Sequence, residues 1–454
     1  MSTTIAAIAT PQGAGGIGIV RISGPKSQEV ADRIFRSPGN RRIRDTAGYQ
    51  ALYGHIYEGD ILVDEAIALV FRAPRSYTGE DVVELSCHGG MYVLGRVLSA
   101  ALSAGAVAAA PGEFTKRAFL NGKLSLTQAE SVMDIIGAQG RQAAAAALAA
   151  REGVLGRRIQ DVTDSLVELA AHLSAYIDYP EDDIPELQEV QLVGSLSDAR
   201  RRLDDLLATY DAGKILREGV DTVIVGRPNV GKSTLMNVLS GVERSIVTHI
   251  PGTTRDVVEE TVRLGDVVLR LADTAGLHET DDPVEAIGVE KARGRLETAG
   301  LVLAVFDASQ NLEEEDKRLL EKLDGRPAVA VINKTDLTPC IDEAFVRRHV
   351  PHVVTISAKQ EMGMEQLTEA VCDVLGAGSW DPSAGMLANE RQRDCVRRAG
   401  EAVKEALDAT QMGMTYDAVS VSVEGAIDAL LELTGERATE AVVDQVFARF
   451  CVGK

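Results

Sequence analysis

No stretch of this 454-residue chain approaches the roughly 18 to 20 consecutive apolar residues needed to cross a bilayer. The N-terminus lacks a basic segment leading into an apolar one. A soluble, cytoplasmic protein with no membrane partner is therefore expected. The five cysteines, Cys87, Cys340, Cys372, Cys395 and Cys451, include no CxxC pair, which removes the usual zinc-binding and disulfide-exchange patterns. Positive charge is also short: 47 Lys and Arg face 68 Asp and Glu, for a formal net charge of -21. That balance opposes wrapping nucleic acid by general counterion release, so any RNA contact has to be local or delivered by a partner.

What is present is ordinary globular material, 45% hydrophobic and 25% charged, with length for roughly three domains of about 150 residues. From Ile5 to about Pro111, short apolar runs such as Ile17 to Ile22 and Ala66 to Phe71 alternate with Gly, Pro and Asp, the pattern of an α+β unit. No proline then occurs between Pro111 and Pro180, and apolar residues recur at helical spacing, which predicts long helices. Tyr179 to Pro185 interrupts them before a further amphipathic stretch from Leu187 to about Leu216. Apolar runs at Thr222 to Val225, Val267 to Leu271, Leu301 to Phe306, Ala328 to Ile332 and Val353 to Ile356 are separated by helix-length segments, the alternation of a doubly wound sheet. Beyond Trp380 to Gly385, Asn389 to Thr410 and Thr439 to Phe450 again read as amphipathic helices. The economical architecture is one helical domain, discontinuous in sequence, with an α/β domain inserted between its halves. The expected divisions are 1–118, an α+β domain; 119–217, the first helical part; 218–377, the inserted α/β domain; and 378–454, the second helical part.

Gly226 to Ser233 (GRPNVGKS) matches GxxxxGK[ST], directly follows the strand Thr222 to Val225 and opens a helix at Lys232. Its backbone N–H groups can surround a β-phosphate, Lys232 can reach the β and γ oxygens, and the Ser233 hydroxyl can ligate magnesium. Asp273 to Gly276 (DTAG) ends a later strand, where a carboxylate can hold the metal through water and a glycine amide can approach the γ-phosphate. Thr254, in Gly252 to Asp256 (GTTRD), can close its hydroxyl onto the same magnesium. Asn333 to Asp336 (NKTD) follows another strand, and the Asp336 carboxylate can accept from guanine N1–H and the 2-amino group, which adenine cannot offer. Ser357 to Lys359 (SAK) offers a backbone amide to the guanine carbonyl. Five ordered elements on strand ends predict a Ras-like P-loop GTPase domain. Leu277 follows DTAG where signalling GTPases carry a water-orienting glutamine, so the nucleophile has to be positioned another way. Arg255 is a candidate arginine finger, with a solvated switch arginine as the plainer reading.

The GRPNVGKS, GTTRD, DTAGL, NKTD and SAK set, the flanking helices and the ending Phe450 to Lys454 (FCVGK) resemble the MnmE (TrmE) family, as do Gly13 to Pro25, Tyr77 to Gly90 and Pro111 to Lys123. The likeness covers essentially the whole chain. It implies a folate-binding, dimer-forming N-terminal domain that handles a tetrahydrofolate one-carbon donor, with contacts at Arg21, Glu84, Lys123 and Lys454. Without the likeness those four would read as surface charges. The resemblance further implies potassium beside the phosphates, held by Asn229, Thr248, Ile250 and Thr253, and a water-activating carboxylate at Glu285 with Lys232 as the other catalytic group. The implied GTP contacts run through Asn229, Val230, Gly231, Lys232, Ser233 and Thr234 in the phosphate loop. They continue through Thr248, His249, Ile250, Pro251, Gly252, Thr253 and Thr254 in the first switch and Asp273, Thr274, Ala275 and Gly276 in the second. Asn333, Lys334, Asp336, Ser357, Ala358 and Lys359 complete them around the base. Pro251 and His278 depart from some relatives' switches, and Cys451 reads as a spectator or as a thiol aided by Lys454.

The implied activity is GTP hydrolysis by a homodimer that modifies tRNA. With an FAD-containing MnmG-type partner, it forms the 5-carboxymethylaminomethyl or aminomethyl group on wobble uridine. The alternatives are a ribosome-assembly GTPase switch of the Era type, which would need a basic RNA-binding appendage the sequence does not show, and a folate-binding scaffold with a vestigial nucleotide domain.

Overall fold

Alternating burial along β-branched runs builds the first sheet of the computed structural model, which describes residues 3–178, 188–242, 260–271, 296 and 298–454. The chain forms two compact units: residues 1–133, 159–186 and 412–454, and residues 134–158 and 187–411.

In the first unit a seven-stranded sheet runs in the order β3-β4-β5-β6-β2-β1-β7. Its strands are β1 Ile5–Ile8, β2 Gly15–Ser23, β3 Phe35–Arg36, β4 Gln50–Glu58, β5 Ile61–Phe71, β6 Val82–Gly89 and β7 Val107–Ala108. One face carries Val20, Ile22, Leu52, Ile56, Ala68, Val70, Val83 and Leu85, all buried in one core with Val30, Ile34, Leu94 and Val97. The last four lie on helices Ser27–Ile34 and Met91–Ser103. Gly18 lets Leu94 approach the sheet closely, since a Cβ would sit 2.6 Å from its methyl groups and the leucine would have to shift. The opposite face keeps Ile17, Tyr53 and Ile67 at least half exposed.

Helices Glu113–Leu120, Leu126–Gly137, Tyr416–Thr434 and Glu440–Phe447 lie wholly or mainly in this unit. Leu126, Ala129, Val132, Val443, Phe447 and Phe450 share a core. Burying side chains of this size removes about 1.5–3 kcal/mol of unfavourable hydration each. The sequence reading left Met412 to Ala438 unassigned, yet Tyr416–Thr434 is a continuous helix with Val419, Val423, Ala426, Leu430 and Leu433 buried. Its several valines and Gly425 lower intrinsic helix propensity, and tertiary burial outweighs that cost.

In the second unit a six-stranded sheet runs β13-β12-β11-β8-β10-β9, from β8 Val220–Val225, β9 Glu260–Leu264, β10 Val267–Leu271, β11 Leu301–Asp307, β12 Ala328–Asn333 and β13 His352–Thr355. All neighbours are parallel except the edge pair β10 and β9. Every residue of β11 and β12 is buried, as parallel strands covered on both faces require. Two apolar cores occupy the two faces. Helices Glu189–Leu207 and Glu390–Gln411 pack as a pair. Their buried stripes, Leu192, Leu196, Ala199 and Leu203 on one and Val396, Ala399 and Val403 on the other, recur at the three-to-four spacing read from the sequence. Arg200 locks the pair by donating through Nη1 to the Gly400 carbonyl at 2.6 Å. The YPEDDIP segment lies outside the described residues.

Candidate functional site

The carboxyl ends of β8, β11, β12 and β13 meet one cluster of loops, where a doubly wound sheet binds ligands. Between the end of β8 and helix Lys232–Val242 the backbone takes positive φ at Gly226 (+143°), Asn229 (+63°) and Gly231 (+103°). A Cβ at Gly226 would stand 2.2 Å from the Val305 carbonyl oxygen, and one at Gly231 would stand 2.2 Å from Asn333 Nδ2. Only glycine fits either place, so the spacing of the motif is fixed by packing as well as by the turn. Lys232 arches over this loop and donates through Nζ to the carbonyls of Gly226 at 2.6 Å and Arg227 at 2.8 Å. Burial lowers its pKa, partly opposed by Glu315. An ammonium desolvated in this way gains most by exchanging carbonyl partners for phosphate oxygens. A glycine-shaped cradle at a helix N-terminus with a half-buried ammonium at its mouth fits a polyphosphate. Ser233 and Thr234 are exposed in the first turn of the helix, where their hydroxyls are open to a metal or phosphate oxygen.

The base-recognition elements are stitched to that loop by one buried side chain. Asn333 donates through Nδ2 to the Val230 carbonyl at 3.0 Å and accepts at Oδ1 from the Ala358 amide at 2.9 Å. A single amide thus joins three segments of sequence, and being 2% exposed it has no water to replace either partner. Asp336 is exposed, and its Oδ1 accepts from Ser357 Oγ at 2.7 Å, which orients the carboxylate. Lys334 has φ +66° and its Nζ pairs with Asp307 Oδ2 at 2.5 Å. Burial works to raise the Asp307 pKa, but Lys334 and the Ser309 hydroxyl and amide outweigh it and hold the group ionised below the usual range. Lys359 follows Ala358 in the short turn after Ser357.

Sequence reasoning missed Asp307, whose only signal is an acid at the end of a wholly apolar strand. It also missed Arg227, which pairs with Asp316 at 2.8 Å and with Glu313 and so ties the phosphate loop to helix Glu314–Leu323. Thr248, His249, Ile250, Pro251, Gly252, Thr253 and Thr254 lie outside the described residues, as do Arg255, Asp273, Thr274, Ala275, Gly276, Leu277, His278 and Glu285.

In the first unit the cross-strand pair Arg21 and Glu84 is joined through Arg21 Nε and Glu84 Oε1 at 2.8 Å. Arg21 Nη1 also donates to the Gly453 carbonyl at 3.1 Å, and the guanidinium lies 5.5 Å from the Phe114 ring centre and 5.6 Å from that of Tyr77. The chain end is seated here: the Phe114 amide donates to the Lys454 carbonyl at 3.2 Å, and Gly453, at φ +101°, presses so close to Ile8 that a Cβ would meet its carbonyl at 2.3 Å. Lys454 is held below the ordinary lysine range by burial and by Arg21, with Glu84 and Cys451 opposing. Lys123 makes its contact with the 74–79 segment instead, donating through Nζ to the Pro74 carbonyl at 3.2 Å. Sequence separation hides this arrangement, because Arg21 and Gly453 lie at opposite ends of the chain. A cleft of about 650 Å³, lined by Lys116, Phe119, Leu124, Gly435 and Val443 among others, contains none of the predicted residues.

A phosphate cradle at a strand-to-helix turn, locked to a carboxylate that matches guanine, defines a P-loop GTP hydrolase. A family profile described as the MnmE helical domain matches residues 126–451, and one described as the GTP-binding protein TrmE N-terminus matches residues 4–123. The tRNA modification GTPase MnmE of Heliobacterium modesticaldum is 45% identical over 463 residues, covering 99% of both chains. Its namesake from Bacillus subtilis is 42% identical over 457 residues, covering 99% of this chain and 100% of that one. Among solved structures, the G domain of the T. maritima FeoB iron transporter is 26% identical, covering 34% of this chain and 98% of that one at a TM-score of 0.26. The chain belongs to the MnmE family.

Proposed function

We propose that this chain is a homodimeric, potassium-stimulated GTPase that acts on tRNA. With an FAD-bearing MnmG-type partner, it forms the 5-carboxymethylaminomethyl or aminomethyl group on the wobble uridine of certain tRNAs. The observation that carries the reading is the seating of the chain end in the N-terminal sheet. It brings Lys454 beside the Arg21–Glu84 pair, so one chain holds both an anion-and-donor site suited to a folate and a complete guanine selector. The experiment that tests it is mass analysis of tRNA nucleosides from cells lacking this protein. Retention of the full wobble modification would overturn the reading.

The charge pattern suits a tetrahydrofolate one-carbon donor. Arg21, Lys123 and Lys454 can pair with glutamate carboxylates, and Glu84 can accept from pterin N–H groups. Arg21 and Glu84 lie on the sheet face opposite the helix-covered core, where the chain end, Phe114 and Tyr77 cover them, in the cross-strand row next to Tyr53, Ile67, Ser86 and Ile19. An apolar face with Ile17 72%, Tyr53 53% and Ile67 50% exposed is suited to burial against a second copy, which would also shield the folate cluster from water. Replacing Arg21 and Lys123 together by alanine removes two charge-assisted contacts. Folate affinity is expected to fall about 100-fold or more, measured by titration calorimetry. Undiminished affinity refutes the folate assignment.

In the nucleotide site, Ser233 and Thr254 would hold magnesium, and Asp273 to Gly276 would approach it and the γ-phosphate. Asn229, Thr248, Ile250 and Thr253 would hold potassium through oxygen ligands, as suits a hard cation. This charge takes the place of an arginine finger, and Glu285 would orient the attacking water in place of the glutamine that Leu277 replaces. Exchange of potassium for sodium is expected to lower GTP turnover roughly tenfold or more, equivalent to about 1.4 kcal/mol of transition-state stabilisation. Equal rates in the two salts remove the potassium assignment. Hydrolysis drives opening and closing of the paired domains, since GTP phosphates have no evident part in forming a carbon–carbon bond. The flavin resides on the partner.

A further inference from the structure

The chain's negative charge is unevenly distributed. Residues 1–123 contain 13 Lys and Arg against 11 Asp and Glu, whereas the rest of the chain contains 34 against 57. Several N-terminal cations have no carboxylate partner and follow one rim of the first sheet. Arg41 and Arg42 are exposed and make no hydrogen bond or ion pair through their side chains among the described residues, and the same holds for Arg75. Arg72 is satisfied only by carbonyl oxygens, those of Arg44 at 2.6 Å and Thr46 at 2.7 Å among them, so its charge stays uncompensated while it pins the 41–46 loop beside the 72–75 segment. Lys123 extends the same line through its bond to the Pro74 carbonyl.

An aromatic side chain stands among them. Tyr49 is 63% exposed, has φ +62°, and sits edge-on to Phe71 with ring centres 5.6 Å apart. The neighbouring Gly48 lies against Arg72, so a Cβ there would be 3.2 Å from the arginine Cγ. Tyr77, two residues beyond Arg75, carries the rim into the Arg21 cluster.

Unpaired guanidinium groups interleaved with an exposed ring are the chemistry that grips single-stranded RNA. Arginines meet phosphates, and the ring receives an unstacked base. We infer that the rim formed by Arg41, Arg42, Arg72, Arg75 and Tyr49 binds the single-stranded loop of the RNA substrate and delivers its target base toward the Arg21–Glu84–Lys454 cluster. This inference rests on the proposed reading of the protein as a tRNA-modifying enzyme. It reconciles local RNA contact with a net charge of -21, because 57 of the 68 acids lie outside the N-terminal segment, whose own charges nearly balance.

The test uses the full-length chain and an unmodified tRNA transcript whose anticodon begins with uridine, with binding measured by fluorescence anisotropy across a salt series. The triple variant Arg41→Ala, Arg42→Ala, Arg75→Ala is expected to bind roughly 10-fold to 100-fold more weakly near physiological salt. Its slope of log affinity against log salt should be shallower by about 2, at about 0.7 per single-strand phosphate contact. The corresponding triple lysine variant should recover the slope, and Tyr49→Phe should bind as the parent does while Tyr49→Ala binds less well with an unchanged slope. GTP turnover and dimer mass should be unaltered in all of them. An unchanged slope in the triple alanine variant overturns the inference, and so does loss of the dimer, which would make the rim a subunit contact. Loss of flavoprotein binding with RNA binding intact also overturns it, in favour of a protein-docking surface. None of these outcomes touches the parent reading, which stands or falls on the wobble nucleosides of cells lacking the protein.

Discussion

Replacement of Asp336 by asparagine should turn GTP from the preferred nucleotide into a poor one and make xanthosine triphosphate the better ligand. The carboxylate is suited to two guanine donors, N1–H and the 2-amino group, and its Oδ1 is already oriented by Ser357 at 2.7 Å. An asparagine amide nitrogen would face the guanine 2-amino group donor to donor. Xanthine carries a carbonyl there instead, which that nitrogen can donate to while the amide oxygen accepts from N1–H. Sites built to hydrogen-bond a particular edge discriminate by up to about 10⁴–10⁵, because the mismatched groups are left buried and unpaired. Partial exposure of Asp336 reduces this, so a loss of about 10²–10³ in GTP affinity is expected, read by competition with a fluorescent nucleotide. Equal binding of GTP by the variant and the parent would sink the assignment of Asp336 as the base selector.

Loss of the Lys232 ammonium should be nearly as severe, but for the reaction rather than for the base. Its Nζ spans the Gly226 and Arg227 carbonyls, a position from which it can swing onto β and γ oxygens with little reorganisation. Removing one charge aimed at a transition state typically costs a factor of about 10²–10³. Lys232→Ala should therefore lower single-turnover GTP hydrolysis by that amount. The Gly226 and Arg227 carbonyls lose their donor in the same variant, so loop support falls by roughly 1 kcal/mol for each bond. A thermal melt with and without GDP separates the two effects. Hydrolysis within about threefold of the parent would exclude Lys232 from the chemistry.

Much of the nucleotide site was legible in the chain because its parts are short and local. GRPNVGKS specifies its own turn, and the helix begins at Lys232 as the sequence predicts. The five parallel-sheet runs appear as β8, β10, β11, β12 and β13, and the signal is plainest in β11 and β12, where burial on both faces leaves a continuous apolar run. Asp307 and Arg227 escaped notice for the opposite reason. Their partners, Lys334 and the Glu313–Asp316 pair, lie in other loops, and a single acid or arginine carries no spacing signal. The helix Tyr416–Thr434 was missed because valines and a glycine obscure a helical pattern that only packing makes favourable.

The amino-acid sequence by itself determined the fold class, the guanine-nucleotide chemistry and the family, since each follows from short spacings or from likeness along the whole length. Tertiary structure alone decided which distant residues act together. Asn333 joins the phosphate loop to Ala358 because β12 lies beside β13 and close to β8, and Arg21 reaches Gly453 because the chain end folds back onto the first sheet. The physical reason is one of range. Steric limits on φ and ψ and the period of apolar residues act over a few positions and can be read along a line, whereas burial of a polar side chain selects its partners from the whole folded volume.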